Sequence, residues 1–277
     1  MSEPQQSNWN AFGRVNASER WRKPSAAMGR AMTEAIVREA RVEQNMRVLD
    51  VASGTGEPAI SVATLLNHTG EVVATDISPE PLKIGEGRAG ERGLTNIRFE
   101  QADVHLLPFD DATFDRITSR LGVMFFADLP RALSEIHRVM KAGGRATLLA
   151  WGKMQQPYFD ATIGTILRTV PELRLPASGR AMFKFSDASV LAGALRTAGF
   201  DRAEENFTSV PWNWPGTPEE LWAYFEEVTI PFKPLFEAIP PARRDEVNAR
   251  VLEALRHRYH EGEVHFDAEC LLVSGTV

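Results

Sequence analysis

A short apolar run, a glycine-rich turn and the start of a helix constrain this chain more than any other stretch. Val48, Leu49 and Val51 form a run too apolar for a half-exposed strand. Gly54 and Gly56 follow it, and they allow backbone angles closed to other residues and a close approach of a ligand to the main chain. The stretch predicts a ligand cradle at the carboxyl end of a parallel strand.

Two carboxylates flank this turn, because Asp50 ends the strand and Glu57 lies in the first turn of the predicted helix. Negative charge there disfavours a dinucleotide pyrophosphate, which prefers the bare positive end of a helix. The negative charge favours a cationic ligand instead, and S-adenosylmethionine carries two cationic groups, an ammonium and a sulfonium. The glycine spacing alone is a weak signal, since nicotinamide-dependent enzymes share it.

Composition narrows the function classes. The chain has 277 residues with 43% hydrophobic and 25% charged side chains, which is typical of a globular protein. A net charge of -6 argues against general binding of nucleic acid or of an anionic membrane. Cys270 is the only cysteine, so the chain has no intramolecular disulfide or cysteine-based metal site, and no other metal-ligand spacing is convincing. With no membrane-spanning run and a polar amino terminus, we expect a cytoplasmic protein.

Strand and helix patterns alternate after the glycine turn. This alternation predicts an α/β fold with a doubly wound, mostly parallel sheet that helices cover on both sides. Asp128 is expected to cap the helix that precedes the fifth strand. The predicted strands are 71–76, 97–101, 114–119, 145–151, 201–212 and a closing strand 263–277 that pairs with 201–212; helices are predicted over 77–92 and 186–198.

The chain divides into three predicted parts. Residues 1–45 form an N-terminal helical lid, in which Trp9 and Phe12 either join the core or cover the ligand. Residues 46–152 form the ligand-binding core. Residues 153–277 complete the same sheet and carry helical cap insertions at about 153–182 and 215–260, because insertions of that size usually form a cap or binding element.

Three carboxylates are expected at the carboxyl ends of successive strands, where open α/β sheets bind ligands. Asp76 ends the second strand about twenty residues after the glycines, where it can accept both ribose hydroxyls. Asp103 follows the third strand and could accept from an adenine amino group. Together with Asp50 they point to a nucleoside-type ligand. Asp115 is expected only to cap or orient backbone.

These residues resemble the class I S-adenosylmethionine-dependent methyltransferases with a methyltransferase type 11 domain. Within that class, the chain is similar to the small-molecule enzymes related to ubiquinone- and menaquinone-biosynthesis methyltransferases. Its Lys141-Ala142-Gly143-Gly144 replaces the usual Lys-Pro-Gly-Gly, a change confined to a turn. The matching segments are 48–56, 73–78, 102–109 and 138–145.

The resemblance implies a Rossmann-like methyltransferase fold, a seven-stranded sheet with an antiparallel last strand. It implies S-adenosylmethionine as cofactor and a small molecule as methyl acceptor. The residues it assigns to the cofactor are Asp50, Ala52, Ser53, Gly54, Thr55, Gly56, Asp76, Ile77, Asp103, Val104, Ser119 and Arg120.

Methyl transfer from a sulfonium needs mainly alignment and a dry site, and a general base only if the acceptor must lose a proton. His105 and His260 are the candidate bases, and His137 is expected to border the core. Candidate acceptor-binding residues are Trp9, Phe12, Met124 and Trp222. The sequence leaves open the acceptor, the methylated atom and whether the chain forms a homo-oligomer.

Two alternatives remain at this point. A nicotinamide-dependent oxidoreductase would share the glycines and Asp76, although Asp50, Glu57 and Asp103 count against it. A binding protein that holds the cofactor without turnover would keep the same cradle.

Overall fold

A computed structural model describes residues 16–17 and 19–277 of the chain. Its strands are β1 (Arg47–Val51), β2 (Glu71–Asp76), β3 (Ile97–Gln101), β4 (Phe114–Arg120), β5 (Met140–Trp151), β6 (Asp201–Pro211), β7 (Tyr259–His260), β8 (Glu263–Val264) and β9 (Asp267–Thr276). Its helices, besides short 3-10 turns, a π-helix (Asp160–Gly164) and a helical turn at the start of the described chain, are α1 (Arg22–Ala40), α2 (Ala59–Leu66), α3 (Pro79–Glu91), α4 (Leu129–Val139), α5 (Pro157–Phe159), α6 (Thr165–Thr169), α7 (Ala177–Ala181), α8 (Val190–Thr197), α9 (Pro218–Val228), α10 (Lys233–Glu237) and α11 (Arg244–Arg256).

Seven strands form one sheet in the order β3-β2-β1-β4-β5-β9-β6. The pairs from β3 to β5 are parallel, and β9 lies antiparallel between β5 and β6. The predicted doubly wound sheet with an antiparallel last strand is confirmed. Because β1 lies at the reversal of strand order between β2 and β4, the glycine turn emerges at the switch point where such sheets bind ligands.

Both faces of the sheet are covered, which explains the unbroken apolar runs in its strands. Successive residues of β1 point to opposite layers: Val48 packs with Leu66 of α2, and Leu49 joins the larger core on the other face. Helix α1 covers that second face through Met32 and Ile36, which are fully buried. The described part of the predicted lid therefore contributes one apolar helix face to the core.

Three predicted boundaries were wrong. The fifth strand, predicted from residue 145, begins at Met140, directly after α4. Residues 263–277 are not one strand, because Val264 pairs with Trp214 outside the main sheet and β9 begins only at Asp267. The helix predicted over 186–198 begins at Val190, since Ser189 adopts a left-handed φ of 69° and its N–H donates to the Glu205 carboxylate.

The predicted cap of α4 is confirmed. The Asp128 side chain accepts a hydrogen bond from the Arg131 N–H at 3.1 Å. This bond satisfies one of the backbone donors that every helix leaves free in its first turn.

The two insertions form a common cap with an aromatic interior. Tyr158 and Phe159, from the first insertion, meet Phe225 and Phe232 of the second, with ring centroids 5.5 Å apart for Tyr158–Phe225 and 6.1 Å for Phe159–Phe232. Helix α9 begins with a capping box in which Thr217 and Glu220 satisfy each other's backbone N–H groups. None of the helices in the described chain has the length and apolarity needed to cross a membrane.

Candidate active site

The turn after β1 owes its shape to three residues in left-handed conformations. Ala52, Gly54 and Gly56 have φ angles of 55°, 53° and 104°. A Cβ atom on Gly54 would meet no atom within 4 Å, whereas one on Gly56 would lie 2.6 Å from Cδ1 of Ile60. The backbone at Gly54 thus faces open space that a ligand can enter, and Gly56 lets the turn lie against α2.

Asp50 lies at the floor of this turn with no exposed surface. Its Oδ1 accepts a 2.6 Å hydrogen bond from the Thr118 hydroxyl, while its Oδ2 is buried without a hydrogen-bond partner among the described residues. Burial raises the pKa of Asp50 from 3.8 to about 7, more than the Thr118 hydrogen bond lowers it. A cationic group that reached Oδ2 would restore the ionised form.

Other buried polar atoms near the ends of β1 and β4 also lack hydrogen-bond partners in the described chain. They are Oγ of Ser53, Oγ of Ser119 and Nε of Arg120. Arg120 is anchored through Nη1, which donates to the Gly29 carbonyl and to the Thr33 hydroxyl. Burial lowers the pKa of Arg120, and no carboxylate of the described residues forms an ion pair with it. Orphaned groups of this kind in a native fold call for a ligand or ordered water.

The end of β2 is tied to the glycine turn. Asp76 accepts the Gly54 N–H at 2.9 Å through one carboxylate oxygen and the Ser78 N–H at 3.0 Å through the other. The Ser53 N–H donates to the Thr75 carbonyl. The structure therefore brings Asp76 and the glycine turn together at the same edge of the sheet as Asp50, and Ile77 follows directly.

Asp103 and His105 form a local pair after β3. Nδ1 of His105 lies 2.5 Å from Oδ1 of Asp103, and Nε2 accepts the Asp128 N–H at 3.1 Å. Both ring nitrogens of His105 are thus engaged by neighbouring groups. His105 thereby links Asp103 to the start of α4, and its role as a general base stays a prediction. Val104, between them, is partly buried against the core.

A cavity of about 1180 Å³ opens beside the loop that leaves β4. Met124, which the sequence predicts as a candidate acceptor-binding residue, lies on its wall. The remaining wall comes from the start of the described chain, the first insertion and the second insertion. The lining residues are Asn16, Ala17, Arg20, Met124, Phe125, Phe126, Ala127, Ser178, Ala181, Lys184, Glu226, Glu227, Ile230, Pro231, Lys233, Pro234, Phe236, Glu237 and Arg244.

The other predicted acceptor and base residues lie elsewhere. Trp222 is buried inside the cap, where its Nε1 donates to Oδ1 of Asn248, and it does not line the cavity. His260 is exposed and its ring stacks on His265 at 3.8 Å, again away from the cavity wall. Trp9 and Phe12 lie outside the described residues.

Sequence reasoning missed Lys184 and Glu226, two ionisable residues of the cavity wall. No motif marks either of them, and Glu226 stands beside an identical Glu227. His137, by contrast, borders the core as expected: it contacts the Gly199 carbonyl and the edge of Phe200.

The model of the ubiE/COQ5 methyltransferase family matches residues 25–209, two thirds of the chain. The chain belongs to the ubiE/COQ5 methyltransferase family. This methyltransferase uses S-adenosylmethionine as its methyl donor, and the nicotinamide-dependent alternative is thereby excluded.

Curated relatives agree with this assignment. The ubiquinone/menaquinone biosynthesis C-methyltransferase of Idiomarina loihiensis is 36% identical over 56% of this chain, and the match spans only 61% of that relative's length. The demethylmenaquinone methyltransferase of Deinococcus radiodurans is 33% identical over 64% of this chain and 76% of its own length.

Among solved structures, an S-adenosylmethionine-dependent methyltransferase from Methanococcus maripaludis superposes with a TM-score of 0.56. It is 24% identical, and the alignment covers 74% of this chain and 91% of that one. At this identity the likeness shows the fold alone, and the fold is that of the predicted Rossmann-like methyltransferases.

The unpaired groups of the cradle fit S-adenosylmethionine. Its amino-acid end carries an ammonium and a carboxylate, which match the partnerless Oδ2 of Asp50 and the partnerless donors of Ser53, Ser119 and Arg120. The open face of Gly54 admits a ligand to the backbone. The cradle thus offers complementary groups for the ammonium and the carboxylate of S-adenosylmethionine.

Proposed function

We propose that this methyltransferase holds S-adenosylmethionine over the turn at residues 52–56 and methylates a small molecule bound in the 1180 Å³ cavity. The observation that carries the proposal is the buried, half-satisfied carboxylate of Asp50 beside three further orphaned polar atoms. An enclosed set of unpaired groups costs free energy in the empty protein, which a zwitterionic ligand would recover.

In the proposed site, each residue has a defined task. Asp50 pairs with the ammonium, and Ser53, Ser119 and Arg120 face the carboxylate. Backbone from Ala52 to Gly56 contacts the methionine part, while Asp76 takes the ribose hydroxyls, Ile77 packs on the adenine, and Asp103 with the Val104 N–H reads the adenine edge. The cofactor supplies an activated methyl group, so the protein's contribution is alignment and exclusion of water.

The position of the cavity supports its proposed role as the acceptor site. Met124, Phe125 and Phe126 line it and belong to the segment that directly follows Ser119 and Arg120. We therefore propose that residues 46–152 bind the cofactor, while the start of the described chain and the cap insertions cover the acceptor.

The names of the relatives suggest quinone-type acceptors and carbon methylation. The family match ends at residue 209, however, before the second insertion that supplies much of the cavity wall. We propose a small, mainly apolar acceptor. Methylation of a carbon atom, as the names of the relatives suggest, is a second candidate reaction. A cytoplasmic location, the absence of nucleic-acid and membrane partners, and any homo-oligomer stay predictions.

Isothermal titration with S-adenosylmethionine and S-adenosylhomocysteine tests the proposal. We expect dissociation constants in the micromolar range for both, and at least tenfold weaker binding to Asp50→Asn. NADH serves as the negative control. Absence of heat with both cofactor forms would refute the site. Cofactor binding without methyl transfer to any acceptor in a broad screen would favour the binding-protein alternative.

A further inference from the structure

Glu226 differs from the other carboxylates on the wall of the acceptor cavity. Glu227 accepts hydrogen bonds from Arg20 at 3.0 Å and from the Trp21 indole at 2.8 Å. Glu237 lies 3.8 Å from Nζ of Lys233. Glu226 is partly buried, lines the cavity and has neither a hydrogen bond nor an ion pair with any described residue.

Lys184 is a cation on the same cavity wall that likewise forms no ion pair with the described residues. Its only polar contact in the described chain is a long hydrogen bond of 3.5 Å from Nζ to the Phe126 carbonyl. Phe126 belongs to the segment that leaves β4, so this contact places the ammonium beside that segment on the cavity wall. The ammonium also lies over the Phe185 ring at 4.9 Å.

Partial burial shifts both groups toward their neutral forms. It raises the pKa of Glu226, with a further rise from Glu227 and an opposing effect from Arg244. Desolvation lowers the pKa of Lys184. A carboxylate whose pKa is raised is a better proton acceptor near neutral pH than an ordinary one. The charged groups that line the cavity with Glu226 are Arg20, Lys184, Glu227, Lys233, Glu237 and Arg244.

The balance of these charges indicates which acceptors the cavity favours. Arg20 pairs with Glu227, and Lys233 lies near Glu237. Arg244 donates only to a neutral group, the Phe236 carbonyl. Among the described residues that line the cavity, Lys184 and Arg244 therefore remain as two cations against one carboxylate, Glu226. This excess of positive charge opposes a cationic acceptor and stabilises an anion that forms when an acceptor loses a proton.

Resting on the proposed methyl transfer, we propose that Glu226 is the general base that removes a proton from a hydroxyl of the acceptor, and that Lys184 stabilises the resulting oxyanion. The O–H bond of the acceptor breaks and its proton passes to the Glu226 carboxylate. The electron pair left on the acceptor forms the bond to the methyl carbon, and the pair of the broken carbon–sulfur bond stays on sulfur. Charge and atoms balance without a further reagent.

Glu226 lies outside the part of the chain that matches the family model, which ends at residue 209. The proposed base is therefore a feature of this chain's own cap. Lys184 lies inside the match, just after the first insertion, where it contacts the segment that follows β4.

Binding of 2-naphthol to the full chain saturated with S-adenosylhomocysteine tests the proposal. The comparison ligands are 2-methoxynaphthalene, which has no hydroxyl proton, and 1-naphthylmethylamine, which is a cation. We expect the wild-type protein to bind 2-naphthol at least about tenfold more tightly than either. Glu226→Gln should lose most of this preference, and Glu237→Gln, the matched change on the same wall, should keep it.

A rate measurement separates a base from a mere hydrogen-bond acceptor. With 2-naphthol and S-adenosylmethionine, Glu226→Gln should form S-adenosylhomocysteine about a hundredfold more slowly than wild type near neutral pH. The deficit should shrink at alkaline pH, where the probe ionises unaided, and Glu226→Asp should recover part of the rate. Lys184→Met should slow the reaction at every pH below the ionisation of the probe.

Four outcomes would each overturn the proposal. Wild type could bind 2-naphthol no more tightly than 2-methoxynaphthalene, or bind the amine more tightly. Alternatively, wild type could form no product from 2-naphthol, or Glu226→Gln could react at the wild-type rate. Titration of the same proteins with S-adenosylhomocysteine distinguishes the two levels of failure. If wild type binds no S-adenosylhomocysteine, the proposed function fails. If all variants bind it equally and the naphthol results are negative, only the role of Glu226 fails.

Discussion

The hydroxyl of Thr118 donates to one carboxylate oxygen of Asp50 at 2.6 Å, and the second oxygen of Asp50 is buried without a partner in the described chain. This arrangement holds Asp50 in place through β4 while leaving one oxygen for a ligand. It joins the strand order of the sheet to the chemistry of the site, because β1 and β4 are neighbours and Asp50 is paired in register with Thr118.

The first prediction concerns proton release on cofactor binding. Since the pKa of Asp50 is about 7 in the ligand-free protein, much of the carboxyl is protonated at pH 6.5, and a bound ammonium must drive that proton off. Affinity for S-adenosylhomocysteine should therefore rise as pH increases toward and through 7. Calorimetry at pH 6.5 in two buffers of different ionisation enthalpy should detect the released proton. Asp50→Asn should bind at least about tenfold more weakly, a loss of about 1.4 kcal/mol, and release none through this group. A buffer-independent heat in wild type would contradict the assignment.

The second prediction concerns stability without ligand. Asp50 ionises near 3.8 when unfolded and at about 7 when folded, so its contribution to stability is present below pH 4 and lost as pH rises through 7. Asp50→Asn removes this dependence. The free energy of unfolding of Asp50→Asn, measured relative to wild type, should increase by on the order of 1 kcal/mol or more between pH 5 and pH 7.5. Urea denaturation at both pH values measures it, and the exposed Asp187→Asn should show no such gain.

How much of this site the sequence could predict depends on the range of the interactions. The positions of Asp50 and Asp76 followed from apolar runs that end in a carboxylate beside glycines, a purely local pattern. Partners such as Thr118, 68 residues away, depend on strand order, which no local pattern encodes. The lack of a hydrogen-bond partner for Oδ2 of Asp50 is still less predictable, because it depends on the positions of all the donor groups around the site.

The cap shows a second limit of prediction from sequence, since residues of the same type there have different surroundings. Trp222 and Phe236 look alike in sequence, as aromatic residues of one insertion, yet Trp222 lies in the cap interior and Phe236 lines the cavity. Glu226 and Glu227 are adjacent and identical, but only Glu227 meets Arg20 and Trp21, more than 200 residues away in the chain. Tertiary packing alone separates these pairs.

The third prediction tests the structural role of His105. Its ring accepts from the Asp128 N–H and contacts Asp103, so His105→Ala should lower the free energy of unfolding by about 1–2 kcal/mol. Amide exchange at the start of α4, at Asp128 and Arg131, should accelerate. The rate of methyl transfer should keep the pH dependence of wild type, which a change in a general base would alter. If His105→Ala shifted the pH dependence of the methyl-transfer rate and left stability unchanged, the result would support His105 as a general base.

The fourth prediction separates the two glycines of the cradle. Gly54→Ala places its Cβ in open space at a φ of 53°, so it should cost the fold about 1–2 kcal/mol and weaken cofactor binding at least about tenfold. Gly56→Ala adds an overlap with Ile60 to a φ of 104°, and it should destabilise by at least about 2–3 kcal/mol. Gly87→Ala, in α3 with no atom near its Cβ, is the control and should be neutral or stabilising. Equal losses of stability at positions 54 and 56 would contradict the geometry.

The last prediction concerns the contact between the glycine turn and the segment after β4. A Cβ on Gly122 would lie 2.5 Å from Cβ of Ala52 and 2.8 Å from Oγ of Ser119. Gly122→Ala should therefore destabilise the protein by about 1–3 kcal/mol and displace two residues proposed to hold the cofactor. Ala52→Gly removes the opposing methyl group and also relieves a left-handed alanine with a φ of 55°.

The double variant Ala52→Gly/Gly122→Ala should thus recover much of the stability that the single Gly122→Ala loses. Unfolding free energies of the four proteins give the coupling directly, which we expect to be at least 0.5–1 kcal/mol because the two Cβ positions touch. Affinity for S-adenosylhomocysteine should recover less completely, since Ser119 Oγ still lies near the new methyl group. Strictly additive losses in the double variant would show that Ala52 and Gly122 are not in contact.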